Sequence, residues 1–147
     1  MRINYLAVLV AAIAHFLIGG LWYGLLFGNK FVELIGWSPE KLQQMENHNP
    51  TKEMVLAFLL AVILVFVMAH FIQYTRARTI FEGIQTAFLL WLGFVATTQF
   101  ATVMFEERNL GLYLLNIGYQ LVACSIAGVI LVLWKPRGAK EAAAQPA

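Results

Sequence analysis

The sequence predicts an all-α protein: a four-helix transmembrane bundle with a short amphipathic, interfacial helix in its first extramembrane loop. Three observations predict it. Hydrophobic residues make up 61% of the 147 residues and charged ones 12%, against about 45–50% and about 25% in soluble domains, so lipid must stand in for water over much of the surface. Four apolar runs, about 4–27, 54–74, 80–104 and 112–134, are each long enough to cross a hydrocarbon core of about 30 Å at about 1.5 Å per residue. None of them alternates apolar and polar residues as a barrel strand does. One membrane domain, 1–137, accounts for all four runs; the Ala-rich tail 138–147 is expected to be disordered.

The first run carries no Lys, Arg, Asp or Glu. Ala12-Ile13-Ala14 has the look of a signal-peptide cleavage site, but the apolar run continues well past it, so the segment is read as a span. Asn4, Val8, Ala11, His15, Gly19 and Trp22 fall on one helical stripe, because eleven residues make close to three turns. Gly20, Gly24 and Gly28 form a small-x-x-x-small ridge toward its far end. Such ridges let helices approach closely, within the chain in the first instance and between copies in the second. Gly93, Thr97 and Ala101, and Ala123 with Ala127, form similar ridges in the third and fourth runs.

The loop that follows starts with Phe31, Val32, Leu34, Ile35 and Trp37, with Lys30 and Glu33 among them. That pattern suits a short helix lying in the membrane interface. Ser38-Pro39-Glu40 then starts a second, polar helix, with Ser as N-cap, Pro at N1 and an acid in the first turn. Asn49-Pro50-Thr51 restarts the chain into the second span. Thr79 and Glu82 form a capping box at the start of the third, which argues against a catalytic role for that acid. The third and fourth spans, joined by a short loop, make an antiparallel hairpin.

Orientation follows from the positive-inside rule. Four spans put the N-terminus, the second loop and the C-terminus on one side, and that side holds six of the ten Lys and Arg residues: Arg2, Arg76, Arg78, Lys135, Arg137 and Lys140. Both termini are therefore expected in the cytoplasm, the protein in the cytoplasmic (inner) membrane, and the first loop outside. The formal net charge of +2 comes with no basic patch, so nucleic acid is not an expected partner. The expected partners are the lipid bilayer and further copies of the chain.

Polar side chains within hydrocarbon need partners and so face other helices or a cavity. Counting rise per residue, His15 lies near the midplane, Gln120 about 5 Å outward, and Gln99 and Asn116 about 10 Å outward. Asn116 and Gln120 share a face of the fourth span at i, i+4. These residues predict an outer polar cluster of His15, Gln99, Asn116 and Gln120, with Trp22 and Tyr119 as aromatic walls. His70 and Gln85 match in depth on the inner side, about 9–10 Å from the midplane, and predict an inner pair. His15 and His70 differ by roughly 10 Å in depth, too far for two axial ligands of one haem lying parallel to the membrane. No Cys/His spacing suggests another metal. The single cysteine, Cys124, lies in an apolar stretch and reads as a small core residue. No nucleophile–base set, phosphate loop or acid pair is present, so neither an enzymatic activity nor a cofactor is expected.

Several motifs resemble one family. Asn4…His15-Phe16…Gly19-Gly20-x-Trp22-Tyr23-x-x-x-Phe27-Gly28, followed by Gly36-Trp37-Ser38, is similar to the opening of the bacterial membrane family catalogued as domain of unknown function 1761. Trp91-Leu92-Gly93-Phe94, Phe105-Glu106-x-Arg108 and Asn116-x-Gly118-Tyr119-x-Leu121…Gly128…Trp134 resemble its second half. The resemblance covers about residues 4–135. Such sequences commonly carry a proline after the Trp-Tyr pair; here Gly24-Leu25-Leu26 stands instead, which bears on where the first helix ends. The resemblance implies four spans and no particular activity. Two functions follow as expectations: binding or moving a small solute through an oligomeric bundle, or an accessory membrane subunit acting through its surface.

Overall fold

The computed structural model describes residues 3–134. The tail 138–147, and Arg2, Lys135, Arg137 and Lys140 of the orientation argument, lie outside the described residues. Four long helices carry the fold: α1 (Tyr5–Leu26), then after two short helices α2 (Gly28–Ile35) and α3 (Pro39–Glu46), α4 (Thr51–Tyr74), α5 (Ile80–Phe105) and α6 (Leu110–Leu133). The four long ones have the length and hydropathy to cross a membrane, and their limits lie within about three residues of the apolar runs.

The expected cap at Ser38 forms, with Ser38 Oγ accepting from Lys41 N at the start of α3, and a further one stands at the start of α1, where Asn4 Oδ1 accepts from the N–H groups of Leu6 and Ala7. Thr79 and Glu82 close the capping box of α5. Gly36, at φ 68°, ends α2 in the left-handed conformation that glycine adopts without a Cβ clash. Each of these satisfies backbone groups that a helix end leaves without an internal partner.

Two helices change their winding in mid-course. α1 passes from α to π geometry over Leu21–Leu26, and α5 does so over Leu92–Ala96. The first of these lies across Gly24-Leu25-Leu26, so without the proline the helix runs on to Leu26. π segments of this kind are rare and gather at functional sites.

α6 is the central helix, packed against α1 on one side and α5 on the other, while α4 packs on α1. Ala96 apart, the core lies in one half of the bundle. In α1 the buried residues run from Ala7 to His15, and in α4 from Ala61 to Ile72. In α5 most of them lie between Gly83 and Ala87, with Ala96 beyond, and in α6 between Ala123 and Val132. These belong to the end where Asn4, Tyr74, Ile80 and Trp134 lie, here called the terminal end. There Asn4 Nδ2 donates to the Trp134 carbonyl at 3.2 Å and ties α1 to α6. Toward the opposite, loop end the helices splay. No residue of α4 before Ala61 is buried, nor any from Thr97 to Phe105 in α5.

α5 and α6 cross closely, glycine against glycine. A Cβ on Gly83 would lie 3.0 Å from the Gly128 carbonyl oxygen, and one on Gly128 would lie 2.7 Å from the Gly83 oxygen. This corrects the glycine expectations. Gly20, Gly24 and Gly93 meet no neighbouring atom within 4 Å of a built Cβ, and Gly28 meets only the Tyr23 backbone. The Gly20–Gly24–Gly28 ridge therefore packs against no other helix of its own chain. Spacing identifies small residues, but not which of them face a neighbour.

Candidate functional site

The polar side chains of α6 set the site. A neutral imidazole offers one donor and one acceptor, and both are used at His15, which is buried at 4% exposure. Nε2–H donates to Gln120 Oε1 at 3.3 Å, and the Tyr119 hydroxyl donates to Nδ1 at 3.2 Å. That hydroxyl also stands 3.4 Å from the His15 carbonyl oxygen. Gly19 makes the approach geometrically open: a Cβ there would lie 3.0 Å from the Tyr119 hydroxyl. His15 is thus a clamp between α1 and α6.

One turn further toward the loop end, Tyr23 OH donates to Asn116 Oδ1 at 2.8 Å. Its ring stands edge-on to those of Tyr119 and Phe31, with centroids 5.4 and 5.2 Å away. Trp22 instead donates from Nε1 to the Leu115 carbonyl at 3.2 Å and packs on Phe27 and Gly118. On the other flank of α6, Trp91 Nε1 donates to the Ile117 carbonyl at 2.8 Å, and Tyr113 OH donates to the Ala96 carbonyl at 3.0 Å, at the end of the α5 π segment. Asn116 therefore sits between two α6 carbonyls that each accept an indole N–H, and its backbone position is fixed from both sides.

The splay at the loop end leaves an open cavity of about 380 Å³, lined by Tyr23, Phe31, Gln99, Asn116 and Gln120. Phe31 comes from α2, which lies over this end with Leu34 packed on Gly111 at the start of α6. Asn116 and Gln120 engage their carbonyl oxygens with Tyr23 and His15. Their amide N–H₂ groups, and the whole carboxamide of Gln99, have no protein hydrogen bond among the described residues. Among the described residues, the lining carries no charged side chain. A second cavity, about 640 Å³, opens between α1 and α4 and shares Tyr23 and Gln120 with the first.

The sequence-predicted outer residues thus divide. Gln99, Asn116 and Gln120 meet at one cavity. His15 and Tyr119 lie behind it with Gln120, on the α4 side. Trp22 is not a wall; Tyr23 and Phe31 are. The stripe that pointed to Trp22 assumed α geometry throughout, whereas in the π stretch from Leu21 each residue turns the chain by less. The adjacent Tyr23, a second amphipathic aromatic at the same depth, was the available signal.

The inner pair does not form. His70 donates from Nδ1 to its own helix, to the Phe66 carbonyl at 2.9 Å, and Gln85 is exposed with no hydrogen bond among the described residues. Equal depth gives a height along the bundle and leaves the rotation about each helix axis free. A polar contact between the end of α4 and α5 is made there by the hydroxyls of Thr75 and Thr86, 3.3 Å apart, with Thr86 also donating to the Glu82 carbonyl. Among the described residues, no group of three or more His, Cys, Asp or Glu side chains could hold a metal ion.

Compared with known families, residues 6–132 match one described as "Protein of unknown function (DUF1761)". No curated protein and no solved structure matches the chain.

Proposed function

The chain belongs to this DUF1761 family of proteins of unknown function, and from that premise we propose that it binds a small uncharged polar solute in the loop-end cavity rather than carrying out chemistry. One observation carries the reading: three carboxamides, Gln99, Asn116 and Gln120, converge on one open, charge-free cavity with their N–H donors uncommitted. Donors of this kind suit a carbonyl or hydroxyl oxygen, and a charged solute would lack a counter-charge. The packed terminal end supports a one-sided vestibule in the single chain. Passage across the membrane then belongs to an assembly of copies, in the bacterial inner membrane, with both termini cytoplasmic and the vestibule open to the outside.

Thermal unfolding of the purified chain with acetamide and glycerol as probes tests this. A ligand at about 100 times its Kd stabilises by about 2.7 kcal/mol, which for a chain of this size is a rise of several degrees. We expect acetamide to raise the Tm of the wild type and of His15→Ala, whose starting Tm is lower. Asn116→Leu should lose the shift. An equal shift in Asn116→Leu would overturn the site.

A second reading, an accessory subunit acting through its surface, is favoured by one observation. Only 6% of the apolar window of α5 is buried, against 28% or more in each other span. Photocrosslinking from Phe100 and Met104, both exposed, would then capture another membrane protein, whereas self-crosslinks or lipid adducts alone would count against it.

A further inference from the structure

The second cavity, between α1 and α4, has a composition of its own. α1 and α4 pack through Ala7–His15 and Ala61–Ile72 and part beyond, leaving a groove of about 640 Å³. Its α4 wall is apolar and exposed at Met54, Ala57 and Leu60. Its α1 wall is bare backbone at Gly20 and Gly24, where a Cβ would touch nothing. His15, Tyr119 and Gln120, hydrogen-bonded together, line it at about mid-membrane depth by rise per residue. Glu53, the one charged lining residue among those described, stands at the opposite, loop end of α4, paired with His48 at 3.0 Å.

From this we infer that the groove is a lateral site for a neutral lipophilic molecule with one hydrogen-bonding end, taken up from the bilayer. The apolar body lies on α4 and across the two glycines, and the polar end reaches Gln120 and Tyr119. An uncharged end is required because no counter-charge lines the groove at that depth, and an unpaired charge within a bilayer costs several kcal/mol. Gln120 and Tyr23 are the wall common to groove and vestibule. The inference rests on the proposed solute site and narrows its substrate class: the polar group recognised by the carboxamides belongs to a membrane-soluble molecule.

The test uses the full chain in nanodiscs and a monoacylglycerol carrying a diazirine in its acyl chain, with a diazirine alkane as control. Mass spectrometry should find the adducts concentrated at Met54, Ala57 and Leu60. Gly20→Leu and Gly24→Leu should cut them at least fivefold, and so should Ala57→Trp from the opposite wall. Gln120→Leu should reduce labelling by the monoacylglycerol and leave the alkane unaffected. Labelling that is equal at the exposed Leu9 and Ile63, or indifferent to these substitutions, overturns the inference. So does loss of a chain–chain crosslink in Gly24→Leu with unchanged labelling, which assigns the groove to a second copy. Groove labelling without an acetamide response at Asn116 would sink the solute reading alone; an acetamide response without groove labelling would sink the lateral site alone.

Discussion

Gly128 and Gly20 are the same residue type in equally apolar helices, yet their surroundings are opposite. A methyl group at Gly128 would press on the Gly83 carbonyl and on Ala87, and backbone cannot swing aside as a side chain can. At Gly20 it would enter open space. Overpacking of this kind costs about 1–3 kcal/mol, whereas replacing glycine by alanine inside an exposed helix gains up to about 1 kcal/mol. Gly128→Ala should therefore lower the Tm in detergent and Gly20→Ala should leave it unchanged or raise it; the reverse order would contradict the α5–α6 crossing. His15 is read in the same way. Both of its ring nitrogens are spent on α6, so its contribution is to join helices. Hydrogen bonds between membrane helices are worth about 0.6 kcal/mol on average and up to about 1.7 kcal/mol.

Among the elements, α6 organises the others through side chains that the rest of the chain sends to its backbone. Trp22 and Trp91 donate to the Leu115 and Ile117 carbonyls, and Asn4 reaches the Trp134 carbonyl. α5 depends on its start. Thr79 Oγ1 accepts from Glu82 N, and Glu82 accepts in return from Thr79 N. Loss of such a cap costs about 1 kcal/mol, so Thr79→Ala should destabilise by that order in a detergent unfolding assay. Thr79→Ser, which keeps the oxygen, should recover most of it. The exposed His48–Glu53 pair is of another kind, since both side chains face solvent, which screens their attraction. The four spans to within about three residues, the capping box and both loop helices were legible in the chain, because caps and apolar runs are local. The π segments were not, because only the loss of i→i−4 bonding reveals them. They moved the aromatic wall from Trp22 to Tyr23.

The molecule as a whole is packed at the terminal end and splayed at the loop end, and this shape sets what can reach it. Cys124 is buried at 4% exposure within the packed half, so the wild-type chain should stay unmodified by a hydrophilic maleimide in its native state. Against that silent background, Gln99→Cys and Asn116→Cys should be labelled from the loop side, and Ala69→Cys, within the core, should not. Labelling at Ala69→Cys with silence at Gln99→Cys would mean that the bundle opens at the other end.

From the sequence alone came the four spans, their limits, the caps, the loop helices and the family resemblance. Also legible was the fact that Gln99, Asn116 and Gln120 lie at related depths. All of these depend on composition, on neighbours a few residues apart, or on height along a helix of known rise. Tertiary structure decided which residues turn toward one another: the Gly83–Gly128 crossing in place of the Gly20 ridge, Thr75 with Thr86 in place of His70 with Gln85, and Tyr23 in place of Trp22. It also decided that the helices diverge, which makes two cavities out of a polar cluster. Rotation about each helix axis and the angle between axes are set by packing across the bundle, and no local stretch of chain encodes them.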